Sequence, residues 1–557
     1  MFTKSLLINY AGFPNEPRLL VPDNGLANLA AALIQKGHST TILDYATVDM
    51  IEKLFPYEYK EQLDDITKRI MVNQKQGLSP NQKDLDEFHG LDEKIENLQR
   101  KKVQEIATEI SSIVRKKNID FVGFKLWMGD GFEGSIMIAE QLKKDYPRLP
   151  IFAGGPHVDW FREKIFDVCD AFDAIAYGDG EEVITMLADY VSDKIKLEDI
   201  PNLIYRKNNG FVTTQKKLVE DLNNLPLPVY DDDVYPAMKN NQKIKMIIMD
   251  ESRGCPNNCN FCLHPMKSGN RWKIKSAESI VDEMERLVNK YDINIFKFAG
   301  SNTPQVLFID VAKEILKRKL KIRYVAFGNT KSDTSVKEFK LMKDSGCYGL
   351  WFGIESGSQK ILDEVLNKKI KVEQLKNKLI NCKEAGIYTS GSIIIPAPNE
   401  TVQTKQETLQ LLLETKPDSI IVSPPVVIPG TIWDKNSEKF GISISERNKY
   451  LKELMLYKIK FIYPTILWNL LPYFKINEKS DKQITGESNS FAQILEKNGI
   501  LTQISVDTIL ISEYSGLNPV QFRDKCRKLF STGNYEEITK IITKINENIA
   551  NSISKPI

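Results

Sequence analysis

At 557 residues, with 42% hydrophobic and 27% charged side chains, this chain has the composition of an ordinary globular protein of about two to four domains. Its 76 basic and 74 acidic residues leave a net charge of +2, so bulk charge provides no hold on a nucleic-acid partner. The 7 cysteines are mostly scattered and do not make a disulfide framework. No stretch approaches the roughly 20 apolar residues of a membrane helix; the strongest run, 461–474, is broken by Pro464 and Pro472.

Residues 4–10 read as a strand and not as a signal peptide, because the apolar run is short and no small-residue cleavage site follows. A turn with Gly12, Pro14 and Pro17 leads to a helix capped by Asn24, with Leu26, Leu29, Ala30, Leu33 and Ile34 on one face and Gly37 at its end. A strand at 40–43 follows. Residues 50–105, rich in Lys, Glu, Asp and Gln, read as an inserted helical hairpin whose charged faces meet water. The pattern resumes with a helix at 106–114 and a strand from 121 that ends at Leu126-Trp127-Met128. A helix at 135–144 precedes a strand ending at Gly154-Gly155-Pro156-His157, and a last strand runs into Tyr177-Gly178-Asp179-Gly180-Glu181-Glu182. This alternation predicts an α/β domain with a parallel sheet over 1–225, becoming a proline-rich linker from about 200 with a hairpin around Asn208-Asn209-Gly210. Ligands of such sheets sit at the carboxyl ends of the strands, where each glycine-rich turn falls and the backbone can approach a large ligand. By themselves these turns would also suit a generic nucleotide site.

From 246 to about 435 strands and helices alternate six times, which fits a partial TIM barrel with its chemistry at the C-terminal mouth of the strands. The first strand of this unit runs into Cys255, Cys259 and Cys262, spaced C-x3-C-x2-C with Gly, Pro and Asn between them. Such a loop can turn three thiolates toward one centre. Four-iron clusters normally take four cysteines, so three would leave one iron open to a substrate or cofactor. A zinc site completed by His264 is the other metal reading. Residues 436–557 carry helical patterns at 447–457 and 519–529 and no chemical motif, which predicts a mainly helical C-terminal domain. Trp433, Trp468 and Phe474 are candidates to line a substrate cavity, and Cys169, Cys347, Cys382 and Cys526 read as buried structural thiols.

The stretch Arg253-Gly254-Cys255-Pro256-Asn257-Asn258-Cys259-Asn260-Phe261-Cys262 resembles the cluster loop of radical S-adenosylmethionine (SAM) enzymes. That resemblance implies a [4Fe–4S] cluster on Cys255, Cys259 and Cys262, with the open iron chelating the amino and carboxylate groups of SAM. Phe352-Gly353-Ile354-Glu355-Ser356-Gly357 resembles the strand-four motif of the same family, which implies SAM contacts from Glu355 and Ser356. Ala299-Gly300-Ser301 stands where the family often has Gly-Gly-Glu, a departure that leaves carbonyl contacts from Gly300 and Ser301 to the SAM amino group available. Asn24-Gly25-Leu26, Gly154-Gly155-Pro156-His157 and the turn from Tyr177 to Glu182 together resemble the cobalamin-binding domain of one large subfamily. The whole chain thus looks like a cobalamin-dependent radical SAM enzyme. A Rossmann-like cobalamin domain would be followed by a partial (β/α)6 TIM barrel and a helical C-terminal domain. Cobalamin contacts are implied at Asn24, Gly25, Gly154, Gly155, Pro156, Tyr177, Gly178, Asp179, Gly180 and Glu181, with Leu126, Trp127 and Met128 expected near the corrin edge. The Asp-x-His-x-x-Gly frame that offers cobalt a lower histidine is absent, so none of His38, His89, His157 and His264 is expected to ligate it.

The resemblance implies methyl transfer from SAM by way of cobalamin to an unactivated carbon of a small-molecule, lipid or peptide substrate. An external one-electron reductant of flavodoxin or ferredoxin type would feed the cluster. The alternatives are a cyclase, ring-contraction or rearrangement enzyme using the same cofactors, and a cobalamin- or cluster-binding sensor without turnover. Free thiols and an oxygen-sensitive cluster fit a reduced, cytoplasmic setting.

Overall fold

The computed structural model describes residues 2–75, 81–457 and 473–554. Trp468 and residues 461–472 of the proline-broken run lie outside the described residues.

The first sheet contains seven strands: β1 (Lys4–Asn9), β2 (Ser39–Asp44), β3 (Phe121–Lys125), β4 (Ile151–Gly154), β5 (Ala174–Ala176), β6 (Leu203–Lys207) and β7 (Gly210–Thr213). Their order is β2-β1-β3-β4-β5-β6-β7, parallel from β2 to β5. Leu6, Leu7 and Ile8 are consecutive and all buried, as expected of a parallel strand covered on both faces. The hairpin expected in the linker does more than connect: β6 pairs antiparallel with β5 and extends the sheet. The helix Asn24–Gln35 is capped by Asp23, which accepts from the Leu26 N–H, one residue earlier than expected. Asn24 is turned outward instead, and its amide donates to Asp250 at 3.2 Å.

The insert is a hairpin of the helices Lys60–Lys75 and Gln82–Lys117 with its own core of Leu63, Ile66, Ile70, Phe88, Leu91 and Ile95. The second helix runs unbroken through 36 residues and carries Ile106, Ala107, Ile110 and Val114 into the main core. The expected helix at 106–114 is therefore the end of the insert's own helix.

The second sheet is built from β8 (Met246–Met249), β11 (Ile295–Phe298), β12 (Arg323–Gly328), β13 (Cys347–Glu355), β14 (Tyr388–Ile394) and β15 (Ser419–Ser423), neighbours in chain order and all parallel. A short ribbon, β9 (Ser252–Arg253) with β10 (Lys273–Ile274), brackets the cysteine loop. Another three-stranded ribbon, β16 (Ile442–Ile444), β17 (Phe474–Ile476) and β18 (Lys479–Ser480), lies in the tail. Alternation with a period of two separates the barrel's faces. Ile247, Met249, Phe296, Phe298, Tyr324 and Ala326 join the main core, whereas Met246, Ile248, Ile295 and Val325 face a second core with the tail.

The tail is helical as expected but is built into the barrel. Its strand β19 (Leu501–Thr502) pairs parallel with β15 and makes the sheet seven-stranded. The helix Val506–Ser515 packs Val506, Leu510 and Ile511 against Ile295 and Val325, and Asp507 pairs with Lys297 of β11 at 2.7 Å. An open barrel of six strands leaves inward-facing apolar side chains uncovered, and this helix covers them. Among the described residues no helix is long and apolar enough to cross a membrane.

Candidate active site

The chain leaves β8 through Asp250 and Glu251 and passes along β9 into the cysteine loop. Gly254 has φ 91°, and a Cβ there would come within 2.2 Å of the Arg271 carbonyl oxygen, so only glycine fits. The loop is clamped on its far side. The Asn260 N–H donates to Leu366 O at 3.0 Å and its amide to Val365 O at 2.9 Å, while Phe261 packs on Trp433. Trp433 is 1% exposed and its indole N–H also donates to Val365 O. Trp433 thus holds the loop, and Phe474 stacks on Tyr450 in the core; neither lines the cavity beside the cysteine loop.

Cys255, Cys259 and Cys262 are free thiols, the first buried and the other two half-buried. The His264 N–H donates to the Cys262 sulfur at 3.4 Å. Burial pushes the Cys262 thiol up to about 12 and raises Cys259 as well. Bound iron would reverse this, since a coordinating cation holds a thiol deprotonated. Among the described residues no three His, Cys, Asp or Glu side chains are grouped as a single ion requires. A four-iron cluster does not need that grouping, because each thiolate binds a different iron.

Glu251 went unnoticed in the sequence, although a carboxylate at the C-terminal end of a barrel strand is the signal that marks it. It is 1% exposed, accepts from the Gly300 N–H at 3.0 and 3.1 Å and from Thr303 at 2.5 Å, and so fixes the turn after β11. Ser301 bonds the His264 ring at 3.0 Å, which ties that turn to the cysteine loop. Glu355 ends β13 at φ 63°, a left-handed conformation uncommon outside glycine, with the strand register broken beside it. Its carboxylate pairs with Lys368 at 2.9 Å. Ser356 is fully buried, with its hydroxyl bonded to Thr408 and to the Ser358 N–H.

Burial pushes the Glu251 carboxyl up to about 7, against the hydrogen bonds from Thr303 and Gly300. An acid raised on folding binds its proton more tightly in the native state, so stability falls as pH rises from the unfolded value of 4.5 through about 7. Glu251→Gln removes this dependence. In urea titrations the variant's stability relative to wild type should improve by about 3 kcal/mol between pH 4.5 and 7.5. A constant difference across that range would show that the carboxyl is ionised throughout.

One cavity of about 420 Å³ lies where the strand ends of the first sheet meet the cysteine loop. Its deep end is apolar, with Leu7, Phe152, Val183, Ile184 and Leu187. Its rim holds Asn24, Gly25, Gly154, Gly155, Pro156, Gly178, Asp179, Gly180 and Glu181. The barrel contributes Asp250, Ser252, Arg253, Gly254, His264, Ala299 and Ser301. Gly300, Glu355, Ser356 and the cysteine side chains are not in its lining, and nor are Leu126, Trp127, Met128 and Tyr177. Leu126 is core; Trp127 and Met128 are 38% and 39% exposed, with Lys125 over the Trp127 ring. Tyr177 points away, its hydroxyl donating to Thr214 O and its ring beneath Arg162. His157 is buried between Phe132 and Phe161, and burial pushes it down to about 4, so it is a neutral core residue. Of the four histidines, His264 alone lines the cavity.

A family model described as the Radical SAM superfamily matches residues 252–412, and one described as the B12 binding domain matches residues 86–188. The chain belongs to the B12-dependent radical SAM enzyme family. Among its curated relatives is an uncharacterized methyltransferase of Pyrococcus horikoshii, 29% identical over 335 residues, which are 59% of this chain and 71% of that protein. An anaerobic magnesium-protoporphyrin IX monomethyl ester cyclase of Rubrivivax gelatinosus is 27% identical over 51% of this chain and 52% of its own length. The chain therefore spans about half the length of that cyclase. The radical SAM methyltransferase TsrM of Kitasatospora setae, solved with cobalamin and a [4Fe–4S] cluster, shares the fold with a TM-score of 0.65. That alignment covers 97% of this chain and 100% of the TsrM chain at 16% identity.

A [4Fe–4S] cluster, SAM and cobalamin are the cofactors typical of this family. The residues present suit them. Three free thiols lie on one clamped loop. The cavity has the size and the mix of apolar wall and polar rim usual for a bound organic group, and a Cβ at Gly123 or Gly180 would meet Leu7 or Leu29 at 3.1 Å.

Proposed function

We propose that this B12-dependent radical SAM enzyme is a C-methyltransferase acting on an unactivated carbon of a small-molecule, lipid or peptide substrate. Cys255, Cys259 and Cys262 hold the cluster, with the turn at Gly300 and Ser301 and the end of β13 at Glu355 and Ser356 serving SAM. The rim from Asn24 to Glu181 holds cobalamin. What carries the reading is the joint lining of one cavity by the glycine turns of the first sheet and by Ser252, Gly254 and Ser301 beside the cysteine loop. When bound, the cluster and SAM supply a hydrogen-abstracting radical and cobalamin supplies a methyl carrier.

The chain's own part is to hold these groups against one space and keep water from it. Glu251 and Thr303 brace the turn after β11, and Asn260 with Trp433 brace the cysteine loop, so reacting atoms are not left to find each other by diffusion. The relatives are mostly methyltransferases, which favours methyl transfer, and the magnesium-protoporphyrin cyclases among them support the second reading, ring formation without methyl transfer. Anaerobic, reduced enzyme given SAM with a trideuterated methyl group and extracts of small molecules, lipids and peptides should yield a product that carries all three deuterons. Turnover of a substrate into an unlabelled product would sink the methyl-transfer reading in favour of the cyclase.

A further inference from the structure

We propose that Arg253 is a positioning residue, a strut that makes the cobalamin rim and the cysteine loop move as one unit. Its guanidinium grips Glu181 through both terminal nitrogens, at 2.5 and 3.0 Å, and reaches Asp179 at 3.3 Å and Asp250 at 2.9 Å. Glu181 and Asp179 belong to the turn after β5, whereas Asp250 and Arg253 follow β8, so the fork spans both sheets. A planar guanidinium holds a carboxylate in a fixed orientation, which a lysine's single point charge does not.

Each end of the strut is anchored in turn. Asp250 accepts from Asn24 at 3.2 Å and from Asn28 at 3.1 Å, which binds in the start of the helix Asn24–Gln35. Asp179 also accepts from the Val219 N–H at 2.9 Å. On the barrel side, β9 pairs with β10, and Gly254 is wedged against Arg271. Cys255 follows directly, so a displacement of Arg253 is handed to the first thiol within two residues. Gly178, Asp179, Gly180, Glu181 and Arg253 all line the cavity. A ligand that orders the turn after β5 therefore acts on the carboxylates that hold Arg253. A plain domain clamp would stabilise the fold equally with the cavity empty or filled; the strut instead transmits occupancy to the loop.

This inference rests on cobalamin as the occupant of the cavity, and the test separates the two claims. Hydrogen exchange is followed in peptides covering 176–182 and 250–263 of anaerobic, cluster-loaded protein, with and without hydroxocobalamin. In wild type, cobalamin should slow exchange in both peptides, by about fivefold or more in 250–263. In Arg253→Met the protection should stay in 176–182 and vanish from 250–263, and Arg253→Lys should keep a part of it. Arg253→Gln, which keeps a polar amide but no charge, should show the same loss and serves if Arg253→Met does not fold. Cobalamin binding with undiminished protection of 250–263 in these variants would overturn the strut alone. Absence of cobalamin binding by wild type would overturn both claims.

Discussion

Alanine at Cys255, Cys259 and Cys262 together is expected to give a folded protein without the brown colour of a cluster, with no iron, no sulfide and no turnover. The loss should be complete, because the other four thiols are packed away in the cores. Cys347 and Cys382 are fully buried within the barrel, Cys169 lies in the same main core and Cys526 in the core shared with the tail. The fold should survive, since the loop's hold depends on Asn260, Phe261, Trp433 and Gly254 and not on its sulfurs. Removing one buried sulfur and two half-buried ones costs about 1 kcal/mol each at most. Iron and sulfide assays, the visible spectrum of anaerobically purified protein and SAM binding measure the outcome. Full iron and undiminished SAM binding in the triple variant would dismiss the loop as the cluster site. One zinc per chain without sulfide in wild type would put a structural zinc in its place.

Lys243→Met should be the most destabilising single change away from the site, costing about 3–5 kcal/mol. Lys243 and Asp44 are 1% and 0% exposed at their side chains and pair at 2.5 Å. Lys243 also donates to Ala46 O at 2.6 Å, and Asp44 accepts from Tyr235, Asn9 and the Ala46 N–H. The pair joins the end of β2 to the segment leading into β8 and thereby sets the first sheet against the barrel. Removing the cation alone strands a carboxylate that has no exposed surface. Asp44→Asn with Lys243→Met removes both charges and keeps the acceptor, so the double variant should lose much less than the two single losses added. Denaturant midpoints of the three variants decide this, and simple additivity would mean that the ion pair is not what joins the domains.

Much of this architecture is local, and local features are legible in the residues. The βα rhythm of both sheets follows from runs such as Leu6-Leu7-Ile8 and from caps such as Ser276, Ser335 and Thr401, each of which accepts from its own helix. The cysteine spacing and the glycine turns are likewise contained in a few residues each; the glycine turns border the cavity, and Ser252, Arg253 and Gly254 border it just ahead of the first cysteine. Side-chain direction at strand ends is less local. Tyr177 sits between Ala176 and Gly178, which line the cavity, yet one residue of difference along a strand turns a side chain to the opposite face.

The parallel sheets, the helical insert, the three-thiol loop and the family resemblance are legible in the residues alone. That the helix Val506–Ser515 covers the barrel's inner face, that Lys243 meets Asp44, and that Arg253 meets Glu181 emerges only in the folded chain. Periodicity reveals which face of an element is apolar, and composition reveals that a charge exists. Neither specifies the distant surface that covers the face or the counter-ion that meets the charge. Those partners are chosen by how the two sheets dock, a property of the whole folded chain.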